Sequence, residues 1–274
     1  MNYGKRSKDK VFRGGGHNSL SSLSGVAPFL NFIRIAGFTL AEVLITLAII
    51  GVVAALTFPM LLAKYQKQVT VSGLQKSYSV VTNMIRKAEA KHGVISEWSG
   101  WSADLPWYIK TRNTQDILEN YLAPEAIGTK VYASNSMSGN FYVRFMCDTE
   151  DNGADNDAQY KRMDGGDVIT SSNEVIQSMR LADGACVGFK PVDGNVAFVY
   201  IDINGAKKPN VVGKDFFEFI LTYEGKLLPR GYELSDEDLK NNKNCPISSY
   251  YIGDCSAAKI MRAGWRITSD YNWR

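Results

Sequence analysis

A chain of 274 residues that is 45% hydrophobic and 22% charged, with four cysteines, has the composition of an ordinary globular protein. That excludes collagen-like, low-complexity and wholly disordered classes, and two histidines, His17 and His92, weaken histidine-based catalysis and His-rich metal sites. The net charge of +3 is unevenly placed: residues 1–37 carry six basic residues against Asp9, leaving 25 basic and 27 acidic residues after them. The excess of positive charge therefore belongs to the N-terminal segment, and the remainder has no bulk charge for gripping nucleic acid.

Next in the chain is IAGFTLAEVLITLAIIGVVAALTFPMLLA, from Ile35 to Ala63, in which Glu42 is the single charged residue. As a helix, its uncharged part Val43–Ala63 covers about 31 Å, roughly one hydrocarbon core. The basic segment before it predicts a cytoplasmic N-terminus and an exported C-terminal part. A secretory signal peptide, with Val43–Val52 as its apolar stretch and a cut after Ala55, is the alternative. Against it stand a preceding segment of some 40 residues, a carboxylate at the edge of the apolar stretch, and an apolar run that continues to Ala63.

Gly37-Phe38-Thr39-Leu40-Ala41-Glu42, followed at once by the apolar run, resembles the N-terminus of type IV prepilins and type II secretion pseudopilins. The resemblance implies cleavage by a prepilin peptidase between Gly37 and Phe38, and methylation of the new Phe38 amine. It also implies assembly through the helix into a homo- or heteropolymer with other pilin subunits, at an inner-membrane assembly platform. Pro59 falls where many such proteins kink that helix. Two features depart from the pattern: Ile35-Ala36 separates Arg34 from the Gly, and the leader is longer than usual. The physics agrees with the resemblance, because a carboxylate at the edge of the membrane interior is costly unless paired, and such residues are functional by default. Glu42 has an obvious partner in a Phe38 amine on a neighbouring subunit. Thr39, Thr46 and Thr57 can return their hydroxyls to the helix backbone, and Gly51 with Ala54-Ala55 would let helices approach closely.

Past the span, Val71, Leu74, Tyr78, Val81, Ile85 and Ala88 recur at steps of three and four, which predicts a helix with one apolar stripe ending at Gly93. One helix from Phe38 to about His92 is thus expected, half in the membrane and half in the domain. Its lysines read as a solvated face, with Lys64 and Lys67 near the headgroups. Trp98, Trp101, Trp107 and Tyr108 read as a satellite core under a loop rather than a ligand platform. A short helix is expected from Asn113, as its cap, to about Leu122.

The period then changes to two. Phe141–Cys147, Cys186–Lys190, Val196–Ile203 and Phe216–Tyr223 read as strands, with Lys226–Leu228 after a turn, giving an antiparallel sheet packed on the 71–88 stripe. The acidic stretch Asp148–Asp167 does not have EF-hand spacing and reads as a solvated insertion. Asp202-Ile203-Asn204-Gly205, running on to Gly213-Lys214-Asp215-Phe216, is similar to the C-terminal loop of major pseudopilins, some of which hold calcium there. A plain Asn-Gly hairpin turn is the competing reading.

The four cysteines all follow the span and allow three pairings. Cys147–Cys186 and Cys245–Cys255 are favoured, since the first two lie at the facing ends of predicted strands and the second two bracket a nine-residue loop beside a predicted helix, Ser256–Arg262. G-x-S-x-G, H-E-x-x-H, P-loop and G-x-G-x-x-G motifs are absent from the sequence.

The expectation is an α+β, pilin-like protein that is not an enzyme and needs no cofactor beyond the calcium at Asp202, Asn204 and Asp215 just raised. Residues 1–37 form a leader that is removed, 38–63 the membrane and filament-core helix, and 64–274 the exported domain, with helix 64–92 plus the sheet. It would sit in the cytoplasmic membrane with its C-terminal domain outside, then in a filament in the periplasm or at the cell surface. Two rival functions are a minor pilin that displays its domain to bind DNA or another ligand, and a membrane-tethered enzyme with an unfamiliar site. The net charge after residue 37 weighs against DNA.

Overall fold

The computed structural model describes residues 37–98, 113–132, 146–147, 160–166, 168, 176–192, 195–205, 207–241, 254–271 and 273. By its contacts the chain divides into two units, Met1–Val52 and Val53–Arg274. The fold is α+β, a long helix with an antiparallel sheet of six strands.

Helix α1, Leu40–His92, is 53 residues long and continues through Pro59. Its end follows from Gly93, whose φ of 84° is the left-handed position at which a helix C-terminus favours glycine. Lys91 sits in the last turn, where a cation complements the helix dipole. In its second half α1 buries Leu74, Val81, Met84, Ile85 and Ala88, so the predicted stripe is the face turned to the sheet.

Strands β1 (Lys130–Tyr132), β2 (Gln177–Arg180), β3 (Cys186–Val192), β4 (Asn195–Asp202), β5 (Phe216–Leu221) and β6 (Leu227–Pro229) pair in chain order, each antiparallel to the next. Register sets the faces: Phe189 opposes Val199 and Val199 opposes Phe219, all directed into the core shared with α1. Gly73 allows the close approach of helix and sheet, because a Cβ there would stand 3.2 Å from Ile203 Cδ1. Tyr78 closes the layer, with its ring on Phe219 and its hydroxyl donating to the Leu227 carbonyl at 3.2 Å.

The opposite face is also buried. Phe198, Tyr200 and Phe216 point away from α1 and are covered by Met146, Tyr160, Val168, Ile176 and Val212. The acidic insertion is thus not wholly solvated: Tyr160 within it is fully buried. Three aromatic rings on one sheet face expose too much apolar surface to be left in water, and Tyr160 of the insertion joins Met146, Val168, Ile176 and Val212 in covering them. Gly188 makes room for that layer, since a Cβ there would come within 2.6 Å of Ile176.

Other elements depart from expectation in detail. β1 and β2, which are short and lack a run of β-branched residues, are not among the predicted strands. The predicted strand 141–147 lies mostly outside the described residues, and its described end, Met146-Cys147, forms a turn with Cys147 at φ 62°. The helix expected after Asn113 includes Asn113 itself, so that residue is not its cap; it continues through a π turn at Leu118–Leu122 to a 3-10 turn at Ala123–Glu125. Trp98 is buried, and its indole donates to the Gly93 carbonyl at 2.9 Å, a core role as expected. Trp101, Trp107 and Tyr108 lie outside the described residues. Helix α2 (Asp236–Lys240), which was not expected, is capped by Ser235, whose hydroxyl accepts from the Asp238 N–H. Helix α3 spans Ser256–Arg262 as predicted and packs Ala257 and Ile260 into the main core.

Candidate functional site

Glu42 lies in the first turn of α1, one turn after the expected cleavage point. Its carboxylate accepts two hydrogen bonds from Thr39, one from the backbone N–H and one from the hydroxyl, each 2.8 Å long. Thr39 Oγ1 in turn accepts from the Glu42 N–H at 3.2 Å. This reciprocal arrangement is a capping box, in which residue and helix satisfy one another's orphan groups. The signal is present in the sequence as Thr39-Leu40-Ala41-Glu42, where it overlaps the cleavage motif. Thr39 therefore donates its hydroxyl hydrogen to the glutamate carboxylate and not to a helix carbonyl. Thr46 and Thr57 do return theirs, to the Val43 and Val53 carbonyls at 2.9 Å.

Around this box the helix is bare. Phe38 is 86% exposed, and Leu40, Leu44, Leu47, Ile50 and Val53 are all exposed. A Cβ on Gly37 or Gly51 would meet nothing within 4 Å. The most apolar stretch of the helix has none of its residues buried. An uncovered apolar surface of this length calls for lipid or for other helices. Pro59 lies inside this stretch of the helix.

The second candidate is the loop between β4 and β5, which brings Asp202, Asn204 and Asp215 together. Asn204 donates its backbone N–H to Asp202 Oδ1 at 3.1 Å and its amide Nδ2 to Asp215 Oδ2 at 3.4 Å. Asp202 Oδ2 also accepts from the buried Tyr160 hydroxyl at 2.6 Å, and Asp215 accepts from the Asn210 and Val211 N–H groups, both at 2.6 Å. Burial pushes the Asp202 carboxyl up to about 7; the Tyr160 hydrogen bond opposes that rise and the nearby Asp215 charge adds to it. Burial likewise pushes Asp215 up to about 6, against the bonds from Val211 and Asn210. The amide oxygens of Asn204 and Asn210 are buried with no hydrogen-bond partner. Carboxylate and amide oxygens are the donor type that a hard cation such as calcium takes, and in this loop the carboxylates of Asp202 and Asp215 already accept hydrogen bonds. Among the described residues no group of three or more His, Cys, Asp or Glu side chains is placed to hold a metal ion.

A disulfide joins Cys147 to Cys186 at the start of β3, with Cα atoms 6.1 Å apart. It ties the residue that precedes the insertion to the sheet. Cys255 is disulfide-bonded as well, and Cys245 lies outside the described residues.

Residues 34–58 match the family model for the prokaryotic N-terminal methylation motif. No curated protein and no solved structure matches the chain. The chain carries the prepilin-type cleavage and methylation motif, placed over the start of α1 where the capping box stands.

Proposed function

We propose that this protein is a structural subunit of a type IV pilus or a type II secretion pseudopilus, and not an enzyme. A prepilin peptidase cuts it between Gly37 and Phe38 and methylates the new amine. It waits in the cytoplasmic membrane with its domain outside, and is then assembled with other subunits through the first half of α1. The observation that carries this reading is the methylation motif at 34–58 lying on a helix whose apolar residues are uncovered.

Glu42 supplies the chemistry of assembly. In the lone subunit its carboxylate is held by Thr39, which lowers the cost of carrying it into the membrane edge. Cleavage leaves Thr39 and Glu42 untouched and creates a cation one residue before the box. In a low dielectric a neighbour's Phe38 amine attracts the carboxylate strongly, so the pair fixes register while apolar helix faces supply the packing. The test is recovery of the chain in sheared filaments. Glu42→Gln should leave membrane insertion and cleavage intact yet reduce recovery at least tenfold, and equal recovery would refute the assembly role.

A further inference from the structure

Strands β3, β4 and β5 run along α1, and the contacts with the helix show which end of the domain is nearest the span. Ile203, just after β4, packs at Gly73, and the Lys214 carbonyl, just before β5, accepts from Thr70 Oγ1 at 2.8 Å. At the other end of β5, the turn at Gly225 sits against Glu89. The β4–β5 loop therefore hangs at the end of the domain towards Ala63, where the apolar run stops. This loop carries Lys207 and Lys208, both exposed. Between Ala63 and Thr70, the first α1 residue buried by the domain, the helix carries Lys64 and Lys67. That interval of largely exposed helix rises about 10 Å, comparable with the headgroup layer outside the hydrocarbon core.

Three acids near this end are engaged elsewhere. Asp183 pairs with Lys76 at 2.9 Å, and Asp202 and Asp215 are buried in the loop's own hydrogen bonds. Among the described residues no carboxylate pairs with Lys64, Lys67, Lys207 or Lys208. Two amphipathic aromatics share the level: Tyr65 is 63% exposed on the helix, and Trp273 lies under the Lys214 ammonium, which stands 5.5 Å from its ring. Lysines with tyrosine and tryptophan at the end of an apolar span are the composition that sits in a headgroup layer.

We infer that Lys64, Lys67, Lys207 and Lys208 form a basic collar that docks the domain onto the anionic lipid headgroups of the leaflet from which α1 emerges. The two pairs come from segments far apart in sequence, and the fold brings the loop that carries the second to the end of the domain from which the first projects, so the collar fixes the height and tilt of the domain as well as adding attraction. It holds the subunit on the membrane before assembly and releases as the helix is withdrawn into a filament. The collar rests on the reading that the first half of α1 spans a membrane.

The test is amide hydrogen exchange of the full chain, reconstituted in vesicles of phosphatidylcholine alone or mixed with phosphatidylglycerol. In the anionic vesicles, exchange over residues 203–215 should slow roughly threefold or more and return to the neutral-vesicle rate at high salt. Lys207→Gln with Lys208→Gln should lose the slowing while keeping the wild-type melting temperature. Arg86→Gln with Lys87→Gln, the same change of charge farther along α1, should retain it. Equal exchange in both vesicles, or an equal loss in the Arg86 and Lys87 variant, overturns the collar. A chain that does not float with phosphatidylcholine vesicles overturns the spanning reading and the collar with it; a chain that floats but shows no lipid dependence overturns the collar alone.

Discussion

Two acidic sites illustrate opposite solutions to the cost of a carboxylate away from water. Glu42 is exposed along an apolar helix and is satisfied by one neighbour, Thr39, through both of that residue's donors. Thr39→Val removes the hydroxyl from the capping box and should destabilise the first turn by about 1 kcal/mol, the usual worth of an N-cap. Cleavage should persist, because Gly37 and Phe38 are unchanged, and filament yield should fall less than with Glu42→Gln. Comparing the two variants in sheared fractions checks this. Asp202 and Asp215 are instead buried in the domain, with carboxyls raised to about 7 and about 6 from an ordinary 3.8. Folding favours their protonated forms, so the stability they contribute is full at acid pH and is lost as pH rises through those values. In a chelated sample, the domain's melting temperature should therefore increase on going from about pH 8 to about pH 5, and Asp202→Asn should flatten that dependence. Calcium would favour the ionised forms. Millimolar calcium should raise the melting temperature at neutral pH by mass action, and a flat response in wild type and Asp202→Ala alike would retire the cation.

α1 is one helix in two environments, and its sequence shows both. The uninterrupted apolar run reads as a span, and the steps of three and four after Val71 read as a stripe that the sheet covers. Leu74 is fully buried while Leu44 is 58% exposed, so one substitution should have two outcomes. Leu74→Ala should cost the domain about 2–5 kcal/mol through lost burial and a cavity. Leu44→Ala should leave the domain's urea midpoint unchanged. β3, β4 and β5 were legible for a related reason: Val, Ile, Phe and Tyr recur there, while β6 was readable from the Glu224-Gly225 turn before it, and antiparallel pairing is the simplest arrangement of such strands. β1 and β2 were not, because Lys130-Val131-Tyr132 and Gln177-Ser178-Met179-Arg180 take their strand conformation from pairing with neighbours and not from local preference. The burial of Tyr160 was hidden for another reason. It sits among acids and glycines whose composition reads as solvated, and only the aromatic outer face of the sheet explains why it turns inward. At the candidate site the spacing of Gly37, Phe38 and Glu42 was readable, whereas the orphaned oxygens of Asn204 and Asn210 needed coordinates.

On the scale of the whole molecule, charge and apolar surface are divided along the chain. The basic excess precedes residue 38, the bare apolar helix follows, and the part after residue 37 carries slightly more acid than base. Such an order suits a protein that is inserted, trimmed and then withdrawn from the membrane. Trimming is the step on which the rest depends, since without it there is no Phe38 amine for Glu42 to meet. Gly37→Leu should accordingly leave the chain uncut and out of filaments even though its span and domain are intact. The most direct measurement is the intact mass of the wild-type protein recovered from membranes of a cell that contains a prepilin peptidase. The account predicts the mass of Phe38–Arg274 plus one methyl group, less the hydrogens lost to disulfides; a mass that retains Met1–Gly37, or one that begins after Ala55, would contradict it.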